Sequence, residues 1–146
     1  MLLSDPLCHT ASISVAVPAE KLFEFMTDAQ TMGKWSFGSW DLQPAGQDIH
    51  VGTSLFNGRK TYIRIHADPK RLQLDYDVGE SADSVVPRIV CKIIPGARLG
   101  MAGETCLLTL IAWRSATASD DRWRQTCASH ELEIFRIKGL AEGAVR

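Results

Sequence analysis

The sequence predicts an α+β domain: an antiparallel β-meander closed by one long C-terminal helix, with two short helices after the first strand. Three observations carry that prediction. Residues 11–17 (ASISVAV) set Ile13, Val15 and Val17 on one face, the period of a strand. Four β-rich runs follow from residue 61 to residue 115, parted by turn residues. From about residue 120 to 141 the apolar side chains recur at helical spacing.

Each element has a local reason. Pro18 suits the first position of a helix, where its missing N–H costs nothing, and Glu20 favours the positive helix end. Leu22, Phe23, Phe25 and Met26 give that helix its buried side, and it ends near Asp28. AQTMGKW (29–35) makes a weaker helical turn that Gly33 stops. Strand patterning starts near residue 38, with an Asn57-Gly58 hairpin signal and an Asp68-Pro69-Lys70 turn. TYIRIHA (61–67) sets Ile63 and Ile65 against Tyr62, Arg64 and His66, and RLQLDYDV (71–78) sets Leu72, Leu74, Tyr76 and Val78 against polar residues. Pro87, inside VVPRIVCKIIPG (85–96), predicts a sheet edge or a bulge. A glycine-rich loop over 96–103 leads to ETCLLTLIAWRS (104–115), which brings the count to six or seven strands.

The C-terminal helix is capped by Ser119, Asp120 or Asp121, with Gly139 and Gly143 bracketing its end. About 20 residues at about 1.5 Å each span a whole sheet. Trp123, Cys127, His130, Ile134, Ile137 and Ala141 form one apolar stripe; Ala128, Leu132, Phe135 and Gly139 form a second on nearly the opposite side. One stripe faces the sheet and the other needs the short helices or a second copy of the chain. The wheel alone does not choose between them.

Composition narrows the function. A length of 146 residues fits one domain, 1–146, able to bury a core unaided. A formal charge of −1 offers no polybasic face for nucleic acid, and no apolar run approaches a bilayer span. MLLSDPLCHT lacks a positive n-region and is broken by Asp5-Pro6, which argues against a cleaved signal peptide. Cys8, Cys91, Cys106 and Cys127 form no CxxC pair and read as free thiols of a cytoplasmic protein. The histidines and cysteines show no metal-ligand spacing, no GxSxG elbow occurs, and Gly96, Gly100 and Gly103 open no helix. Neither a metal nor another cofactor is expected.

The element order, with ISVAVPAEKLFEFMTDAQTMGKW (13–35) at the start and WRQTCASHELEIFRIKGLAEG (123–143) at the end, resembles the helix-grip fold of the START/Bet v 1-like (SRPBCC) superfamily. These segments look like its bacterial polyketide cyclase/dehydrase-like branch. The resemblance implies a curved antiparallel sheet gripping the long helix over an apolar cavity. Members bind lipids, polyketides or other hydrophobic molecules; some cyclise or dehydrate them, and others are co-chaperones. The short helices then help frame the cavity entrance, where Trp35, Phe37 and Trp40 would line the mouth.

The site residues follow as expectations. His130 lies between apolar neighbours Cys127 and Ile134, so it is a ligand anchor or proton carrier if its stripe faces the sheet, and a packed core histidine otherwise. Trp35, Phe37, Trp40 and Trp113 are core or pocket wall, roles that overlap in a cavity fold. Tyr62, Arg64 and His66 share a strand face: solvated if convex, a carboxylate or carbonyl anchor if concave. Tyr76 is a further polar candidate, although Asp75 and Asp77 beside it read as an outer face. The expected function is binding of a hydrophobic, lipid- or polyketide-like small molecule. The alternatives are a cyclase or dehydratase, in which His130 would be the acid–base residue, and an interaction or co-chaperone-like module. A homodimer through the second stripe is a possible partner arrangement.

Overall fold

A computed structural model describes residues 5–101 and 103–144. Residues 1–4 of the segment read above for a signal peptide, and Ala102 of the glycine-rich loop, lie outside them.

The first strand, β1 (Cys8–Val15), leads into α1 (Ala19–Thr27) and the one-turn α2 (Ala29–Met32). Six strands follow: β2 (Trp40–Pro44), β3 (Ile49–Thr53), β4 (Lys60–Asp68), β5 (Gln73–Gly79), β6 (Val86–Pro95) and β7 (Cys106–Trp113). The chain closes with α3 (Asp120–Ala144). The seven strands form one antiparallel sheet in the order β1-β7-β6-β5-β4-β3-β2. This is the α+β helix-grip architecture expected from the element order.

Alternation sorts the strand residues. Ile63, Leu74, Tyr76, Cys91, Ile93, Leu108, Leu110 and Ala112 point inward and are almost wholly buried. Leu22, Phe23 and Met26 of α1 join the same core, each worth about 1.5–3 kcal/mol of burial. Gly33 ends α2 because its chain passes β2 at close range: a Cβ there would lie 2.5 Å from the Leu42 amide nitrogen. The register slips by one between Tyr76↔Ile89 and Asp77↔Pro87, so Pro87 marks a bulge and Arg88 is its extra residue. Asp68 Oδ1 accepts the Lys70 and Arg71 amides, which fixes the β4–β5 turn.

The stripe that faces the sheet is the one carrying His130. Ser129, His130, Glu133, Ile134, Ile137 and Ala141 are buried, while Leu132 and Phe135 are 63% and 65% exposed. Two flanks hold α3. On the β1 side, Lys138 Nζ donates to the Ser14 carbonyl at 2.7 Å and the Ala16 amide donates to Glu142 at 2.8 Å. On the β2 side, Arg136 Nε donates to the Lys34 carbonyl at 2.5 Å and sits 5.4 Å from the Trp40 ring centre.

Some boundaries differ from the expectations. The first strand begins at Cys8 and stops before Val17, because its pairing with β7 runs from Cys8↔Trp113 to Val15↔Cys106. Gly139 and Gly143 do not bracket α3, which runs through both; neither has a neighbour that forces a break. Ser119 is the residue that caps it, its hydroxyl accepting the Arg122 amide at 3.1 Å.

Candidate functional site

The site begins with one transverse row of the sheet. The pairings His9↔Ala112, Ala112↔Ile89, Ile89↔Tyr76 and Tyr76↔Ile65 put these five residues side by side on the inward face. Above the row and toward the open strand ends lies a groove of about 850 Å³. Val78, Ile89 and Ala112 form its floor, Trp123 and Thr126 of α3 its roof, and Trp113 part of its rim.

Polar groups flank the apolar middle of the row, Ala112 and Ile89. On one side His130 of α3 meets His9 edge to face, with ring centres 6.2 Å apart. His9 Nε2 lies 3.2 Å from Glu131 Oε1, which orients that ring. On the other side stands Tyr76, 1% exposed. Tyr76 Oη and the Nδ1 atoms of His9 and His130 are buried with no hydrogen-bond partner among the described residues. Burial pushes the His130 imidazole down to about 4, with the neighbouring His9 adding to the shift, so it is neutral at physiological pH. Burial also raises the Tyr76 phenol well above its usual value, with Cys91 contributing.

A second buried titratable group lies off this row. Glu133, 3% exposed, accepts hydrogen bonds from Ser129 Oγ at 2.7 Å and the Phe37 amide at 3.1 Å. Burial pushes its carboxyl up to about 7, against hydrogen bonds from Ser129, Phe37 and Ser36 that favour the ionised form. Its bonds run to the segment after α2, so it fastens α3 there.

The residues expected to form the site separate into three groups. His130, Ile134 and Tyr76 are all buried, His130 at the His9 end of the row and Tyr76 three strands along it, with Cys127 half-buried one turn before His130 and Trp113 at the rim. Trp35, Phe37 and Trp40 do not line the groove: Trp35 is core, Phe37 stacks on Trp40 at 6.2 Å, and both follow the strap to Glu133 and Arg136. That cluster docks the long helix. Tyr62 and Arg64 lie on the convex face because their neighbour Ile63 is the inward residue; the solvated alternative holds for them. His66 bonds Asp77 there at 2.8 Å, and Arg64 and His66 edge a separate depression of about 540 Å³.

His9 and Glu133 were missed in the sequence. Extending the alternation of Ala11, Ile13 and Val15 back by two residues would have found His9. Nothing in the sequence marks Glu133 apart from its neighbour Glu131, which is exposed.

No protein-family model and no curated protein matches the chain. Solved structures do. The Zhui aromatase/cyclase from a Streptomyces species superposes with a TM-score of 0.69 at 18% identity, covering 95% of each chain. The Aha1 dimer from Colwellia psychrerythraea gives 0.67 at 13% identity, over 93% of this chain and 96% of that one. The di-domain ARO/CYC protein BexL gives 0.66 at 14% identity, with 90% of this chain matching 45% of that longer one. The likeness is one of fold, the fold that the START/Bet v 1-like resemblance implied.

Proposed function

We propose that the protein binds a hydrophobic small molecule, lipid- or polyketide-like, between the sheet and the N-terminal half of α3. One observation supports this reading above the others: a groove of about 850 Å³ with an apolar floor lies beside the row, where Tyr76 Oη, His9 Nδ1 and the Nδ1 of the adjoining His130 are buried without partners among the described residues. Most buried polar atoms in folded proteins are paired; Trp35 Nε1, His50 Nδ1 and Thr105 Oγ1 are further buried atoms without partners among the described residues, outside the groove. Ligand hydroxyls or carbonyls at two points would satisfy those beside the groove, one at Tyr76 and one at the His9–His130 pair, with Ile89 and Ala112 between. Neutral His130 keeps one donor and one acceptor for that purpose. Cys127, Ile134 and Trp113 are wall residues in this reading, and Trp35, Phe37 and Trp40 hold the helix that roofs the site.

A second reading, catalysis of the cyclase or dehydratase kind, draws on the His9–His130 pair. Catalysis needs an acid and a base at one ligand atom. Here His130 would move the proton, while Glu131 holds the His9 ring. Binding requires fewer assumptions and stands first. An interaction module is the weaker alternative.

The experiment is a titration with a carbonyl-bearing fluorescent dye. Saturable binding is expected, lost in Thr126→Trp, whose ring would fill the groove from α3. His130→Phe should weaken it by about 1 kcal/mol, the scale of one hydrogen bond. Undiminished binding in a well-folded Thr126→Trp variant would contradict the proposal.

A further inference from the structure

We infer that the ligand of this groove is an amphiphile with an anionic group, a carboxylate or a phosphate, held at the mouth while its apolar part lies on the floor. The inference rests on the binding reading above and adds the chemical class of the ligand. Arg59, Lys60, Arg88 and Arg122 all line the groove, against the single acid Glu80. The whole chain carries a formal charge of −1, so this excess is local.

The four cations come from three separate parts of the fold. Lys60 opens β4 and Arg59 directly precedes it, and Arg122 lies in the first turn of α3. Arg88 is the extra residue of the β6 bulge, a device that re-aims a side chain away from regular alternation. None of the four takes part in an ion pair among the described residues. The acids nearest to them in α3 are already matched: Asp120 with Arg114 at 2.6 Å and Asp121 with Arg124 at 2.8 Å. Like charges gathered unmatched at one mouth repel each other, and an anion there removes the repulsion. Three of the four are arginines, whose planar fork fits carboxylate and phosphate oxygens in pairs.

The test titrates dodecanoate, dodecyl phosphate, dodecanol and dodecyltrimethylammonium, each below its micellar concentration, into the full chain by calorimetry. Either acid should bind at least about tenfold more tightly than the alcohol, the scale of one charge-assisted hydrogen bond. Arg88→Gln with Arg122→Gln should remove that preference by weakening the acids at least about tenfold more than dodecanol, and added salt should weaken only the acids. Equal binding of acid and alcohol, or preference for the ammonium, would overturn the anionic inference while leaving the binding reading intact. No binding of any of the four would overturn both. Retention on phosphatidylglycerol vesicles without binding of the monomeric acids would overturn it in favour of a lipid-surface contact.

Discussion

The imidazoles of His9 and His130 meet at 80° with their centres 6.2 Å apart, one from the edge strand and one from the long helix. This contact ties α3, whose N-terminal half roofs the groove, to the edge strand that pairs with β7. Among the described residues only one member is oriented by a carboxylate, Glu131 on His9. The buried Nδ1 atoms of both rings have no partner among the described residues.

The pH dependence of stability should show two opposing slopes. His130 is depressed to about 4 in the fold, so between there and its unfolded value near 6.5 only the unfolded chain binds the proton. That makes stability rise with pH. Glu133 is raised to about 7, so from its unfolded value near 4.5 upward only the folded chain keeps the proton, and stability falls with pH. The two offset each other between about pH 4.5 and 6.5. Denaturant unfolding of His130→Phe should expose a fall of about 1.4 kcal/mol per pH unit across that window, and Glu133→Gln a rise of similar size. Parallel curves for both variants and the wild type would show that neither group titrates as described.

Gly33→Ala should destabilise the fold by about 1–3 kcal/mol, because the added methyl meets backbone atoms of β2 that have no rotamer to change. Urea unfolding measures this. Gly139→Ala is the control: its Cβ meets nothing within 4 Å, and alanine favours the helix, so stability should hold or rise.

How far the sequence led can be judged from α3 and from the strap after α2. The helix was legible because its two stripes repeat at 3.6 residues, and the sheet because each strand alternates. Which stripe faced inward was not legible, since both are apolar; the buried Glu133 and the β1 contacts of Lys138 and Glu142 decide it in the fold. Tyr76 was placed correctly by alternation with Leu74. The aromatic cluster misled because an indole over Arg136 and an indole in a pocket have the same sequence. The cations of the groove mouth were invisible for a different reason: Arg59, Arg88 and Arg122 are far apart in the chain and meet only through a hairpin, a bulge and a helix start.

Leu132 and Phe135 carry a prediction of their own. Both are more than half exposed on the outer stripe of α3, beside Ala128 and Gly139. Their apolar area should drive reversible self-association at micromolar concentration, read by sedimentation equilibrium. Leu132→Glu with Phe135→Glu should leave a monomer of unchanged melting temperature. A wild-type protein that sediments as a monomer throughout that range would exclude a dimer through this face.

The most direct test of the account is an amide and indole NMR titration with an apolar small molecule. The largest shifts should fall on Val78, Ile89, Ala112 and the indole of Trp123, with the His130 ring following. Those residues reach the groove from three strands and the helix, so they move together only if the molecule lies between sheet and α3. Shifts confined to Leu132 and Phe135 on the outer stripe, or no saturable shifts at all, would contradict the central claim.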